Sequence, residues 1–176
     1  MPTILLIGQI FGILSTLITA LSYQTNTKKS LLLVQSAATL LLTVSHLMLG
    51  ASSGFALNAV CLVRNACYYF QKEGSTPIHI FTSIFAVIMT VLGVLSWQGP
   101  ISLFMIIGLI INTVFLSLGD AQKLRYSILV TSPMVLIYNV YVFAIGGVLN
   151  EILAIFSSVI GLMRFRKAKL SKTEKE

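Results

Sequence analysis

Apolar residues in this chain gather into seven near-continuous runs, at residues 4–23, 30–49, 54–70, 78–97, 101–118, 126–145 and 148–165. The runs are rich in leucine and β-branched residues and do not alternate. That excludes a membrane β-barrel, whose strands are about ten residues long with a period of two. A hydrocarbon core of about 30 Å needs about 20 apolar residues per helix, and each run comes near that length. Helices satisfy their own backbone in lipid, so the pattern predicts an all-α integral membrane protein of seven transmembrane helices.

The breaks between runs differ in character. Residues 25–29, 71–77 and 120–125 carry charge, whereas 51–53, 98–100 and 146–147 carry none. Of the twelve basic residues, all but Arg64 fall in loops or a tail on one side of a seven-span arrangement. The positive-inside rule makes that side cytoplasmic, with the N-terminus outside and the C-terminus inside. Six or eight spans would break the alternation.

Composition agrees with lipid as solvent: 56% of residues are hydrophobic, 10% are charged, and mean hydropathy is +0.93. Too few polar side chains remain to cover a water-soluble globule. The net charge of +7 is therefore read as loop placement and not as a nucleic-acid surface. The first run lacks basic residues before it and a small-residue cleavage pattern after it, so no removable signal peptide is expected. Cys61 and Cys67 point to different sides of one run, which argues against a disulfide or a metal site.

Spans one to three recur in plan as spans five to seven. Each set reads as a span, a short charged loop, a second span, a neutral turn with glycine, and a third span ending in basic residues. Laying Gly12 on Gly108 also lays Lys29 on Arg125, Ser36 on Ser132 and Gly50 on Gly146. The expected organisation is 3+1+3 with parallel repeats. Residues 1–72 form the first unit, 73–99 a linker helix, 100–167 the second unit and 168–176 a solvated cytoplasmic tail.

Two stretches carry a resemblance to a known family. One is Gln35-Ser36-Ala37 with Ser45-His46-Leu47-Met48-Leu49-Gly50, a small-residue turn, and Leu57-Asn58-Ala59 leading to Arg64. The other is Asn139-Val140-Tyr141 with Ile145-Gly146-Gly147, Glu151, and Leu162-Met163-Arg164-Phe165-Arg166-Lys167. Up to about Lys167 the chain resembles the YgjV family of bacterial inner membrane proteins. The resemblance implies a multi-pass protein of the bacterial inner membrane and brings no established activity with it.

By topology alone the chain is also distantly similar to the SWEET, PQ-loop and PnuC transporters. It departs from their patterns in several places. Tyr23-Gln24 and Gly119-Asp120 stand where a PQ-loop repeat has Pro-Gln, Pro133 is the one mid-span proline, and Trp97 is the single tryptophan.

Ionisable and amide side chains at membrane depth are costly and mark functional candidates. Arg64 lies ten residues after Gly54, about 15 Å of helical rise and so near the midplane. Asn58 and Asn65 are seven residues apart on one helix face, and Glu151 and Ser158 repeat that spacing in the last span when Gly54 is matched to Gly147. Interhelical hydrogen bonding is the plainer use of such a stripe. Glu151 stands near the outer end of its span, at a different depth from Arg64. His46, in the outer half of its span, titrates in the physiological range when exposed. Asn112, Tyr138, Asn139 and Tyr141 add weaker polar candidates.

No nucleophile elbow, phosphate loop, metal cluster or paired acid is present, so neither enzyme activity nor a cofactor is expected. The expected function is a SWEET-like transporter or facilitator of a small polar solute. The alternative is a non-transport membrane binding or interaction protein. The expected partners are the lipid bilayer, the solute and, in a dimeric arrangement, a second copy of the chain.

Overall fold

A computed structural model describes residues 3–22, 28–70, 76–118 and 121–173. The described residues form seven helices and no strand: α1 (Thr3–Ser22), α2 (Lys28–Met48), α3 (Ser52–Phe70), α4 (Thr76–Leu95), α5 (Ser102–Ser117), α6 (Ala121–Tyr141) and α7 (Ile145–Thr173). Each apolar run is the body of one helix. α6 starts and ends several residues before its run, and α7 continues through residues 168–173, which the sequence assigns to a tail. The Pro-Gln counterparts Gln24 and Asp120, with Lys72, lie outside the described residues.

The bundle is apolar outside and polar within. Among the described residues, large apolar side chains stay exposed on every helix, including Leu17, Leu40, Val63, Val87, Ile107, Val130 and Phe156. Buried positions include Ser15, Thr43, Ser45, His46, Asn65, Thr113 and Asn139. A water-soluble fold puts these two sets the other way round, whereas hydrocarbon rewards this one. Many inner hydroxyls are satisfied within their own helix. Ser36, Thr39 and Thr43 each donate to the carbonyl four residues back, at 2.7 Å.

By length and composition alone, two segments of the described residues suffice to cross a membrane, Thr3–Ala20 and Ile145–Met163. Leu32–Met48, His79–Leu95 and Ser102–Ser117 are shorter apolar helices. The polar residues of α3 and α6 are what hold their mean hydropathy down: Asn58, Arg64 and Asn65 in one, Gln122, Lys123, Arg125 and Asn139 in the other.

Neighbours in sequence pack together, α1 on α2 on α3 and α5 on α6 on α7. α7 returns to α1, and α3 touches α5, so six helices form a closed ring. α4 lies outside it against α3 and α5. Phe85 and Met89 of α4 join the apolar cluster of Leu57, Val60, Met105 and Val135, and the Tyr68 hydroxyl of α3 meets that of Thr82 at 2.6 Å.

The two turns at one end of the ring share a backbone. α2 ends with Gly50 at φ 71°, Gly50 N–H bonding Leu47 O and Ala51 N–H bonding His46 O at 2.9 Å. α6 ends with Phe143 at φ 55°, Phe143 N–H bonding Val140 O and Ala144 N–H bonding Asn139 O at 2.9 Å. Both are Schellman-type terminations, which need a left-handed residue after the helix. The matching positions are 93 apart, and so are the starts of α2 and α6 and of α3 and α7. The 96-position register drawn from Gly12 and Gly108 does not hold at these turns. Glycine, serine and lysine recur by chance in apolar helices, whereas a positive φ marks a definite place.

Each junction of the ring is tied at this turn end by a glutamine. Gln9 of α1 donates to Phe143 O at 2.5 Å and accepts from Ile145 N–H at 3.0 Å. Gln98, before α5, donates to Gly50 O at 2.8 Å and accepts from Ser53 N–H at 3.3 Å. Both therefore hold the carbonyl of the left-handed residue and an amide at the start of the next helix. Below Gln9, α1 and α7 meet backbone to backbone at Gly12 and Gly146, and Thr16 Oγ1 donates to Gly146 O at 2.7 Å.

Candidate functional site

Side chains of the six ring helices line a cavity of about 180 Å³. Ser15 and Thr19 face it from α1, Gln35 and Thr39 from α2, Arg64 and Asn65 from α3, Asn112 from α5, Thr131 and Ser132 from α6, and Asn150 and Glu151 from α7. Met105, Leu109 and Val135 supply the apolar part of the wall. The lining follows the 93-residue offset of the turns: Thr19 corresponds to Asn112, His46 to Asn139, and Asn58 to Glu151.

At the turn end the cavity is roofed by a hydrogen-bonded set whose proton positions follow from geometry. Asn58 Nδ2 donates to Gly54 O at 2.8 Å, and a carbonyl only accepts, so the amide orientation of Asn58 is fixed. The same Nδ2 lies 3.1 Å from His46 Nδ1, which therefore accepts. The imidazole proton is then on Nε2, donated to Asn139 Oδ1 at 3.0 Å. His46 and Asn139 are equivalents under the offset, so this bond joins the two three-helix sets at their common axis. Both imidazole nitrogens are engaged, which leaves His46 nothing to offer a solute.

Glycines make room for the roof. A Cβ on Gly54 would meet the His46 ring, and one on Gly147 would meet the Asn139 amide. Gly54 N–H donates to Tyr138 Oη at 2.8 Å, and that hydroxyl donates onward to Gln98 Oε1 at 3.2 Å. His46→Ala would leave Asn58 and Asn139 short of partners in a buried site, at a cost of about 1–3 kcal/mol. Its melting temperature in detergent should fall clearly below that of the native protein; an unchanged value would remove His46 from the framework.

Arg64 is buried, with 5% of its surface exposed. Its Nε and Nη2 donate to Asn65 Oδ1 at 3.2 and 2.9 Å, and Nη1 donates to Thr113 Oγ1 at 2.7 Å. Thr113 gives its own proton to Leu109 O at 2.7 Å, which leaves its lone pairs for the guanidinium. All three bonds are to neutral groups. A guanidinium carries five N–H donors, so two remain for whatever enters the cavity.

Glu151 lies on the wall supplied by α7, beside the Ser132 hydroxyl and the Asn150 amide. It is the one carboxylate among the described residues. Asn139 Nδ2 and Asn150 Oδ1 are buried atoms without a hydrogen-bond partner, and both residues line the cavity.

The structure thus brings Asn58, Arg64, Asn65, His46 and Glu151 to one cavity. Ser158 is buried in α7 but does not belong to the lining. Of the weaker candidates, Asn112 and Asn139 reach the cavity, Tyr138 belongs to the roof, and Tyr141 is exposed. Gln35, Thr39 and Asn150 escaped sequence reasoning, although each is polar within an apolar run. Gln9 and Gln98 escaped it because they sit near helix ends, where glutamine is unremarkable. Cys61 and Cys67 are free thiols. No group of metal-ligating residues occurs among the described residues.

An apolar exterior around a polar, six-helix cavity defines a helical membrane protein with an internal polar compartment. The chain belongs to the YgjV family: the model of this bacterial inner membrane protein family matches residues 6–169. Its location is accordingly the bacterial inner membrane. No curated protein and no solved structure matches the chain.

Proposed function

We propose that the protein is a SWEET-like transporter or facilitator of a small polar solute. It crosses the membrane seven times, N-terminus outside, as two parallel three-helix units, residues 1–72 and 100–167, joined by a linker helix within 73–99. The observation that carries this reading is the polar cavity at the junction of the two sets, with equivalent residues facing each other across it. Parallel-repeat transporters hold their solute in such a place. Ordinary helix cohesion needs polar contacts but no polar-lined volume beside an incompletely paired arginine.

The turn end is shut, with His46, Ser53, Tyr138 and Asn139 fully buried. The lining runs away from it to Thr19, Gln35 and Ile128. In the proposed orientation the solute path is closed outside, and the bonds of Gln9 and Gln98, with those of His46 to Asn139, Gly54 to Tyr138 and Thr16 to Gly146, are among those that must break for the units to rock open outward. Rocking of one unit against the other is how parallel and inverted repeats alternate access.

A second reading, a non-transport interaction protein, draws on the His46, Asn58 and Asn139 network, which ties helices together with no part for a solute. Uptake decides between them. Proteoliposomes holding the purified protein should accumulate at least one solute from a panel of sugars, nucleosides, vitamins and amino acids above protein-free vesicles. No uptake of any class would overturn the transport reading and favour the second.

A further inference from the structure

The cavity is most informative where its two halves differ. Several matched lining positions are similar in kind, such as Thr39 with Ser132 and Thr19 with Asn112, whereas Gln35 matches Ile128 and Ala38 matches Thr131. The charges break the match. Arg64 of α3 corresponds to Ser157 of α7, and Glu151 of α7 corresponds to Asn58 of α3. One unit thus contributes a cation and the other an anion, six residues out of step, or about 9 Å of helical rise.

The two charges do not satisfy each other. The guanidinium's hydrogen bonds go to Asn65 and Thr113, and Glu151 sits beside Ser132 and Asn150. Separate charges facing a low-dielectric cavity each pay for lost hydration without a counter-ion. A neutral polyol relieves neither. An anion pairs with Arg64 but meets Glu151, and a cation does the reverse.

From this juxtaposition we infer that the solute is a small zwitterion of the α-amino acid class, its carboxylate on the two spare N–H groups of Arg64 and its ammonium on Glu151. Asn150 Oδ1, buried and unpartnered beside Glu151 in sequence, is a further acceptor for the ammonium. A volume of about 180 Å³ holds on the order of a dozen non-hydrogen atoms when each is counted as a water. That admits alanine through leucine. The inference rests on the solute-site reading above, but it concerns binding and can be tested apart from transport.

The probe is tritiated L-leucine, offered by equilibrium dialysis to the full-length protein in lipid nanodiscs. L-alanine should compete, whereas leucinol, isocaproate and glucose should compete at least about tenfold less well, since each lacks one or both charged bonds. Glu151→Gln, which keeps shape and removes charge, should weaken leucine by at least about tenfold while raising the relative standing of isocaproate. A structural role for Glu151 would not produce that change of preference. Leucine binding without uptake in proteoliposomes supports the zwitterion site and overturns transport. Binding of glucose or a nucleoside without leucine overturns the zwitterion and leaves transport standing. No binding of either amino acid to the native protein overturns the inference outright.

Discussion

Gly146→Ala is expected to unfold the ring at its tightest seam. A methyl group there would overlap the backbone of Gly12, which has no side chain to move aside, so α1 and α7 must separate. Separation also lengthens the bond from Thr16 Oγ1 to Gly146 O, now 2.7 Å, and pulls on the Gln9 bonds one turn above. Overpacking of this kind costs about 1–3 kcal/mol or more, and alanine's higher helix propensity returns only about 1 kcal/mol. Gly93→Ala is the control. The added methyl there meets Cγ1 and Cδ1 of the buried Ile106, side-chain atoms and not backbone, so the core must repack locally but the two helix backbones need not part, and the cost is smaller. Melting in detergent should rank Gly146→Ala well below Gly93→Ala and the native protein. Equal melting of the two variants would mean that the Gly12–Gly146 contact does not hold the ring closed.

That seam also shows what a sequence of this kind reveals and what it hides. Seven helices are legible because uninterrupted apolar runs of near-spanning length have few other uses. The pairing of Gly12 with Gly146 is not, because small residues are common in such helices and their spacing does not say which neighbour they meet. The repeat has the same division. Its plan is readable from loop character, but its register depends on where the backbone turns left-handed, and Phe143 in the role of Gly50 gives no residue-type signal. Putting Gly50 on Gly146 misses by three, whereas matching Gly54 to Gly147 in the third helices has the offset of the turns.

The candidate site divides similarly. Arg64, Asn58 and Asn65 stand out because hydrocarbon penalises them, and their helix spacing turns them toward one another. Glu151 stands out as an acid within an apolar run, and its stagger from Arg64 is visible in the matched helices. That the stagger opens on a shared cavity depends on how α3 and α7 approach across the ring, which periodicity within one helix does not encode. Ser158 shows the limit of the stripe argument. It has the spacing of Asn65 in the matched helix, yet α7 leaves the cavity wall below Ala154 and buries Ser158 elsewhere. His46 is legible as a polar residue within a span, but its role comes only with the Gly54 carbonyl that fixes Asn58.

Arg64→Met should separate the needs of the fold from those of the solute. A buried guanidinium bonded only to neutral groups keeps much of its desolvation cost, and replacing such ions by apolar residues of similar volume is often neutral or stabilising by about 1–4 kcal/mol. Opposing this, Asn65 Oδ1 loses both of its donors, at about 1–3 kcal/mol, whereas Thr113 keeps its bond to Leu109 O. The single variant should therefore melt near the native protein, and the Arg64→Met, Asn65→Leu double variant, which removes the orphaned carbonyl, at or above it. Both should lose solute uptake by at least about tenfold, since a charged hydrogen-bonded pair contributes about 1.5–3 kcal/mol and Arg64 is the one cation lining the cavity. A brace that merely holds α3 to α5 through Thr113 would behave in the opposite way. It would melt several degrees lower in both variants, and the fraction that stayed folded would carry solute at the native rate.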